Sequence, residues 1–336
     1  MIKISTITVS ILLTINAFAD EYLPEVIYQL DDRFAHHVLV VEKSTHKLFL
    51  YENSSEVPKL LKTYQVATGK ITGNKTIQGD KKTPEGIYRF QQFHSGQNLV
   101  EKYGKAGLIY GAGAFTMNYP NTIDRRKDKT GGGIWLHSTD DDTRVSKGLD
   151  SKGCVVATDA DLKDISQYID LQNTPIIVTQ NLTFLRKATW LDNKKDLTDT
   201  LVTWANAWKD KDFNTYINQY SKDRFLSNTK GNYFGYSRYK KAVFARKDTP
   251  SINFNNISIL NFKTYAVITM VQNYNSSVIQ DVGKKTLYLQ RDDQYNWKIV
   301  SEEWERLPAN TNLAFTPKMR FFTEDSNQVA NDSGSI

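Results

Sequence analysis

The feature that most limits what this chain can fold into is a change in the period of its apolar residues. From residue 37 to about 180 they come in short alternating runs, and from residue 196 they first recur at helical spacing before alternation returns. VLVVEKSTHKLFLYEN, residues 38–53, holds two runs of Val, Leu, Phe and Tyr around a polar Glu-Lys-Ser-Thr-His-Lys turn, which predicts a β-hairpin. Residues 61–68 (LKTYQVAT), closed by Gly69, predict a further strand. So does Gly86-Ile87-Tyr88-Arg89-Phe90 after Thr83-Pro84-Glu85. Strands also follow at 115–118 and at 133–137, the latter entered through Thr130-Gly131-Gly132-Gly133. Thr158 or Asp159 caps a short helix with Leu162, Ile165 and Ile169 on one face, before a last strand at 174–178. Residues 37–180 are therefore expected to form a mainly β domain.

The second pattern opens with Leu197, Leu201, Trp204, Ala205 and Trp208 on one helical face and Phe213, Tyr216, Ile217 and Tyr220 on another. ISILNFKTYAVITMVQNY, KKTLYLQRD and NWKIVSEEW then alternate like antiparallel strands. Helices followed by a sheet predict an α+β domain over 196–307, joined by a linker at 181–195. Residues 308–336, rich in Asn, Ser, Asp and Thr, are expected to be a mobile tail. At the other end, MIKISTITVSILLTINAFA (residues 1–19) has a basic start, a polar-interrupted apolar run and a small-x-small end. It is expected to be a secretory signal peptide cleaved before Asp20, placing the protein in the periplasm. Residues 20–36 mix apolar and acidic positions in a way that would suit an arm packing on a partner subunit of a homodimer. A formal charge of +6 carried by scattered lysines, without a basic block, argues against nucleic acid and for an anionic wall polymer or membrane surface.

Chemistry concentrates in IWLHSTDDDTRVSKGLDSKGCVV, residues 134–156, which holds the only cysteine. An exported chain with one thiol has no internal disulfide to make, so Cys154 is either a buried small hydrophobe or a reactive group. Reactivity needs a base, and His137 is the candidate, with sixteen residues between the two. Gly153 permits close backbone approach, so the amides of Gly153 and Cys154 would suit an oxyanion hole. Ser138 and Thr139 are candidates to orient the imidazole. Trp135 shares a strand face with His137 and either walls the site or fills the core. Tyr110 and Asn118 are candidates for the opposite rim. Arg144 and Lys152 flank the site and would meet a substrate carboxylate or pair with Asp140-Asp141-Asp142. That acidic run lacks the Gly and Glu of an EF-hand and reads as a solvated turn. His36 and His37 read as solvated histidines on opposite faces of a strand; His46 and His94 fall in loops without a role. No metal set is expected.

Spacing alone leaves the structural thiol open, but the ordered motifs carry more. His137-Ser138 after an apolar strand, followed by Ser151-Lys152-Gly153-Cys154-Val155, resembles the His…Ser-x-Gly-Cys signature of the L,D-transpeptidase catalytic domain. VLVVEKSTHKLFLYEN, YQVATGK, KKTPEGIYRF, ATDADLKDI and NTPIIV resemble its other segments in order, over about residues 38–179. The resemblance implies a β-sandwich or barrel with a short helix, and a cofactor-free cysteine enzyme acting on peptidoglycan stem peptides. In such an enzyme Cys154 is the nucleophile, His137 the base, and Ser151 and Lys152 lie beside the substrate. Many cross-linking members carry His before Gly-Cys and Arg or Asn two places after the Cys. Lys152 and Val156 stand there here, a change expected to remove a polar contact from the acceptor wall. This pattern is similar to that of the murein L,D-carboxypeptidases that trim tetrapeptides and influence cell shape. Hydrolysis is thus expected over cross-linking or protein attachment, and a non-catalytic wall-binding scaffold is the further alternative. WANAWKDKDFNTYINQYS and YNWKIVSEEWERL resemble the nuclear-transport-factor-2-like (NTF2-like, SnoaL-like) fold, which implies a cone with a pocket used for binding or positioning.

Overall fold

The computed structural model describes residues 21–54, 56–247, 250–277, 279–308 and 314–322, so the expected signal peptide lies outside the described residues. The first domain is built on an eight-stranded sheet. Across it run Val155–Val156, Trp135–His137, Gly113–Met117, Gly86–Ser95, Pro175–Thr179, His37–Glu42, Lys47–Glu52 and Lys59–Gln65. The expected hairpin is present, with Val40 opposite Phe49 and Leu39 opposite Leu50. Alternation explains its stability: Leu39, Val41, Leu48 and Leu50 turn into one core with Phe90, Phe115, Leu136, Val155, Ile176 and Val178. The helix Asp159–Ser166 closes that core with Leu162 and Ile165, and Thr158 caps it by accepting from the Asp161 amide.

In the second domain the helices Lys187–Lys209, Phe213–Asn218 and Tyr233–Phe244 cover the strands Ser251–Phe262, Tyr265–Asn275, Gln280–Arg291 and Trp297–Arg306. Trp190, Trp204, Tyr216 and Tyr236 fill the space between helices and sheet. The expected linker differs from the structure: Phe184–Arg186 pairs with Tyr22–Pro24 as a small ribbon, and the long helix begins at Lys187 rather than near Asp196. The arm packs within the chain. Ile27–Gln29 extends the second sheet, and Trp190 Nε1 donates to the carbonyls of Pro24 and Ile27 at 3.2 and 3.0 Å.

The two domains share a third core. Val38, Val40, Ile87 and Ile177 from one sheet pack on Leu260, Phe262, Tyr265, Val267, Tyr288 and Val300 from the other. Each fully buried side chain of this size contributes about 1.5–3 kcal/mol, so the seam holds the domains in a set relation instead of leaving a hinge. Polar contacts cross it too: Arg126 Nη1 donates to the carbonyls of Arg224 and Val300, and Arg89 to Thr269 Oγ1.

Residues 314–322, assigned by composition to a mobile tail, lie against the first domain. Phe321 and Phe322 pack on Phe93, and Phe315 stacks on His36 at 3.6 Å between ring centroids. This cover corrects the reading of His36 and His37 as solvated. Both are buried, because His36 precedes the strand and its ring turns to meet its neighbour, Nδ1 to Nδ1 at 2.7 Å. One ring must donate and the other accept, which excludes charging both. Burial, with His37 and Arg320 adding to it, pulls His36 down to about 2; burial pulls His37 to about 4 against the pull of Glu52. Histidines held neutral in the native state but titrating normally when unfolded stabilise the fold fully above about pH 6.5. They lose that contribution as the pH falls toward their native values. The melting temperature should therefore fall between pH 7 and pH 5, a window above ordinary carboxylate titration, and fall less in His36→Gln; calorimetry at matched ionic strength checks both.

Candidate active site

The geometry starts from a two-residue parallel pairing. Val155 lies opposite Leu136 and Val156 opposite His137, so Cys154 sits at the strand entrance beside Trp135. Gly153 just before it has φ +127°, and a Cβ there would lie 2.8 Å from the Lys82 carbonyl oxygen and 3.1 Å from Ile134 Cδ1. Only glycine meets both demands at that turn. Ser151 stabilises the turn from the other side: its Oγ accepts from the Gly153 amide (3.0 Å) and donates to the Cys154 carbonyl (2.6 Å). The Gly153 amide is therefore engaged, contrary to its expected place in an oxyanion hole, and the Cys154 amide is left as the candidate donor.

The Cys154 thiol hydrogen-bonds to the Gly133 carbonyl at 3.5 Å, while the Trp135 amide and the charges of Arg144 and Lys75 act on it from nearby. His137 is 3% exposed, and its Nδ1 lies 2.5 Å from the Ser138 carbonyl oxygen. That contact assigns the Nδ1 proton to a donor role and leaves Nε2 as the free basic nitrogen. The orienting group is thus the Ser138 backbone. The Ser138 hydroxyl instead donates to the Tyr110 carbonyl and accepts from the Gly113 amide. Thr139 Oγ1 accepts from Arg144 Nη1 at 3.0 Å and bonds within the acidic turn, one step removed from the imidazole.

Tyr110 crosses the imidazole edge-on at 5.0 Å and lies 5.0 Å from Trp135, which also meets His94. Trp135 is half-buried on the same side as His137, so it walls the site and does not fill the core. His94 gains a place that its loop-like sequence context did not signal. Arg144 is held by Asp150 (2.6 Å), the Ile109 carbonyl and Thr139. It pairs with none of Asp140, Asp141 or Asp142; Asp141 instead caps its own turn through the Thr143 amide and hydroxyl, as a solvated acidic turn should. Lys152 is exposed beside the thiol. Asn118 is drawn off: its Oδ1 accepts from the Arg89 amide, and it lines a separate cleft at the domain seam. Val156 is fully buried against Ala67 and Val145, and it lies opposite His137 in the parallel pairing. Lys75, bonded to Asp80 and the Ile77 carbonyl, was missed because nothing in a loop of scattered lysines marks one of them as buried.

Burial dominates the electrostatics. It pushes the Cys154 thiol up to about 11 against the Trp135 amide, Arg144 and Lys75. It pulls His137 down to about 4, where the Ser138 carbonyl and Asp150 oppose it and Arg144 adds to it. Both shifts favour the uncharged forms, a neutral thiol and a neutral imidazole. The second domain holds another cavity, of about 530 Å³, lined by Trp208, Tyr236, Lys240, Gln272, Lys285 and Glu302. Glu302 accepts from Tyr220 and Tyr236 and pairs with Lys285, while Lys240 lies 4.2 Å over the Trp208 ring.

The sequence profile of the L,D-transpeptidase catalytic domain matches residues 36–178, and that of the Cds6 C-terminal NTF2-like domain matches residues 196–303. The structure of Bdellovibrio bacteriovorus Bd1075 is similar at 30% identity and a TM-score of 0.75, covering 86% of this chain and 100% of that one. The crystal structure of the helical cell shape determining protein Pgp2 from Campylobacter jejuni is similar at 25% identity and a TM-score of 0.62, covering 82% of this chain and 95% of that one. No curated protein sequence matches.

A thiol pushed up by burial has a kinetic signature. Alkylation of Cys154 by iodoacetamide should accelerate steadily from pH 7 to pH 9 without a plateau. A rate that is already level across that range would instead reveal a preformed thiolate–imidazolium pair.

Proposed function

Because this chain belongs to the L,D-transpeptidase catalytic-domain family, which acts on peptidoglycan, we propose that it is a periplasmic L,D-carboxypeptidase removing the terminal D-alanine from stem tetrapeptides. In this reading residues 1–19 direct export. Cys154 Sγ attacks the carbonyl that joins the L-centre of meso-diaminopimelate to D-alanine, and His137 Nε2 takes the thiol proton as the carbon–sulfur bond forms. The oxyanion meets the Cys154 amide. The protonated imidazole then gives its proton to the departing D-alanine nitrogen, leaving a thioester. Water, deprotonated by the same nitrogen, attacks the thioester carbonyl and restores the thiol. Lys152, exposed and two residues before the thiol, would meet the D-alanine carboxylate; Arg144, held by Asp150, shapes the loop and adds positive potential.

The observation that carries the choice of water is the burial of the base. An acceptor has to reach Nε2 of a side chain that is 3% exposed and crossed by the Tyr110 ring, and water fits where the amine of a second stem peptide has little room. The likeness to a cell-shape determining protein across both domains supports the same reading, with a binding role for the cavity of the second domain.

Purified protein given disaccharide tetrapeptide should release tripeptide and free D-alanine, resolved by liquid chromatography and mass spectrometry; dimeric muropeptides as the main product would instead mean cross-linking. Cys154→Ala and His137→Gln should each lower kcat/KM by at least about 10³-fold. Full turnover by Cys154→Ala would leave the scaffold reading. Tyr110→Ala should open the imidazole side and raise the ratio of D-methionine exchange to hydrolysis when both products are quantified in one reaction.

A further inference from the structure

The segment over the thiol turn is anchored from the second domain. Its Lys82 carbonyl lies against Gly153 and its Thr76 carbonyl accepts from the Thr130 amide, so it touches both the nucleophile turn and the loop that supplies the Gly133 carbonyl. Lys43 holds this segment from below. Its buried Nζ reaches the carbonyls of Gly73 and Thr83 at 2.5 and 3.1 Å and Glu85 Oε1 at 3.1 Å, using all three of its protons. Thr83 Oγ1 in turn accepts from the Gly69 amide. Glu85 is equally buried, and its other oxygen, Oε2, is met at 2.8 Å by Lys263 from the second domain.

Lys263 sits in the turn between Ser251–Phe262 and Tyr265–Asn275, and its neighbours fix where that turn lies. Phe262 and Tyr265 are buried in the shared core, and Tyr265 Oη accepts from the Ile87 amide at 2.7 Å. One hairpin tip thus grips Thr83-Pro84-Glu85-Gly86-Ile87 at two points. The carboxylate between two ammonium groups decides how Lys43 is oriented. With Lys263 in place, Glu85 needs only one bond from Lys43, which leaves two protons for the Gly73 and Thr83 carbonyls. Without it, the buried Oε2 loses its partner and draws Lys43 away from them.

We infer that Lys263 is a positioning residue for the active site, ordering the segment over the Cys154 turn through Glu85 and Lys43, so that the second domain contributes to the chemistry as well as to binding. This rests on Cys154 being the nucleophile. Lys263 is half exposed, so its own ion pair is partly screened and its effect moderate.

The full chain carrying Lys263→Ala should alkylate at Cys154 about threefold faster at pH 8, as the covering segment loosens, and its kcat on disaccharide tetrapeptide should fall about three- to tenfold with KM unchanged. Its melting temperature should stay close to that of the parent, and Lys263→Arg should restore both rates. An alkylation rate for Lys263→Ala equal to the parent's, or a change that Lys263→Arg leaves in place, overturns the inference. If the parent itself turned over no muropeptide, the proposed substrate would fall while the alkylation comparison still decided the role of Lys263.

Discussion

The site depends on one short parallel pairing, Val155–Val156 beside Trp135–His137. Parallel neighbours need a long return connection, and here residues 138–154 supply it, carrying the acidic turn, Arg144, Asp150 and the Ser151–Cys154 turn. Two residues of ladder would not hold such an excursion alone. Val156 and Ala67 exchange both backbone hydrogen bonds at 2.8 Å, and Leu149 and Ser151 pair with Thr68 and Gly69. The cysteine is thereby pinned between the strand bearing His137 and the segment Ala67-Thr68-Gly69.

Within that frame, charge and burial compete, and burial wins. Arg144, Lys75 and the Trp135 amide all favour a thiolate, yet burial outweighs them and pushes the thiol up while it pulls the imidazole down. The Tyr110 ring also crosses His137 edge-on, which limits access to the imidazole.

Much of this was legible because it is local. Alternation marked the sheet, Thr158 marked the helix start, and glycine before cysteine marked the turn. What was misjudged depends on segments far apart in sequence. His36 and His37 read as solvated until Phe315, nearly three hundred residues later, covers them. The tail and arm look mobile or partner-seeking by composition, yet Phe321, Phe322 and Ile27 find apolar surface within the chain. Val156 stands where many family members carry Arg or Asn, and the strand pleat turns it into the core. The polar lining of the second cavity was invisible because Lys240, Gln272, Lys285 and Glu302 come from one helix and three strands.

The sequence by itself determined that there are two stretches of different period, that the one thiol and a histidine stand in the family's motif at Cys154 and His137, and that the family motifs run in order. Periodicity, turn chemistry and motif order are properties of neighbours along the chain, and they survive without coordinates. Only the tertiary structure decided which amide is engaged, which oxygen orients the imidazole, that burial opposes charge on Cys154 and His137, and that Lys263 reaches the first domain. Those depend on desolvation and on hydrogen bonds between residues up to 178 positions apart, as between Lys263 and Glu85, and a one-dimensional pattern carries no record of either.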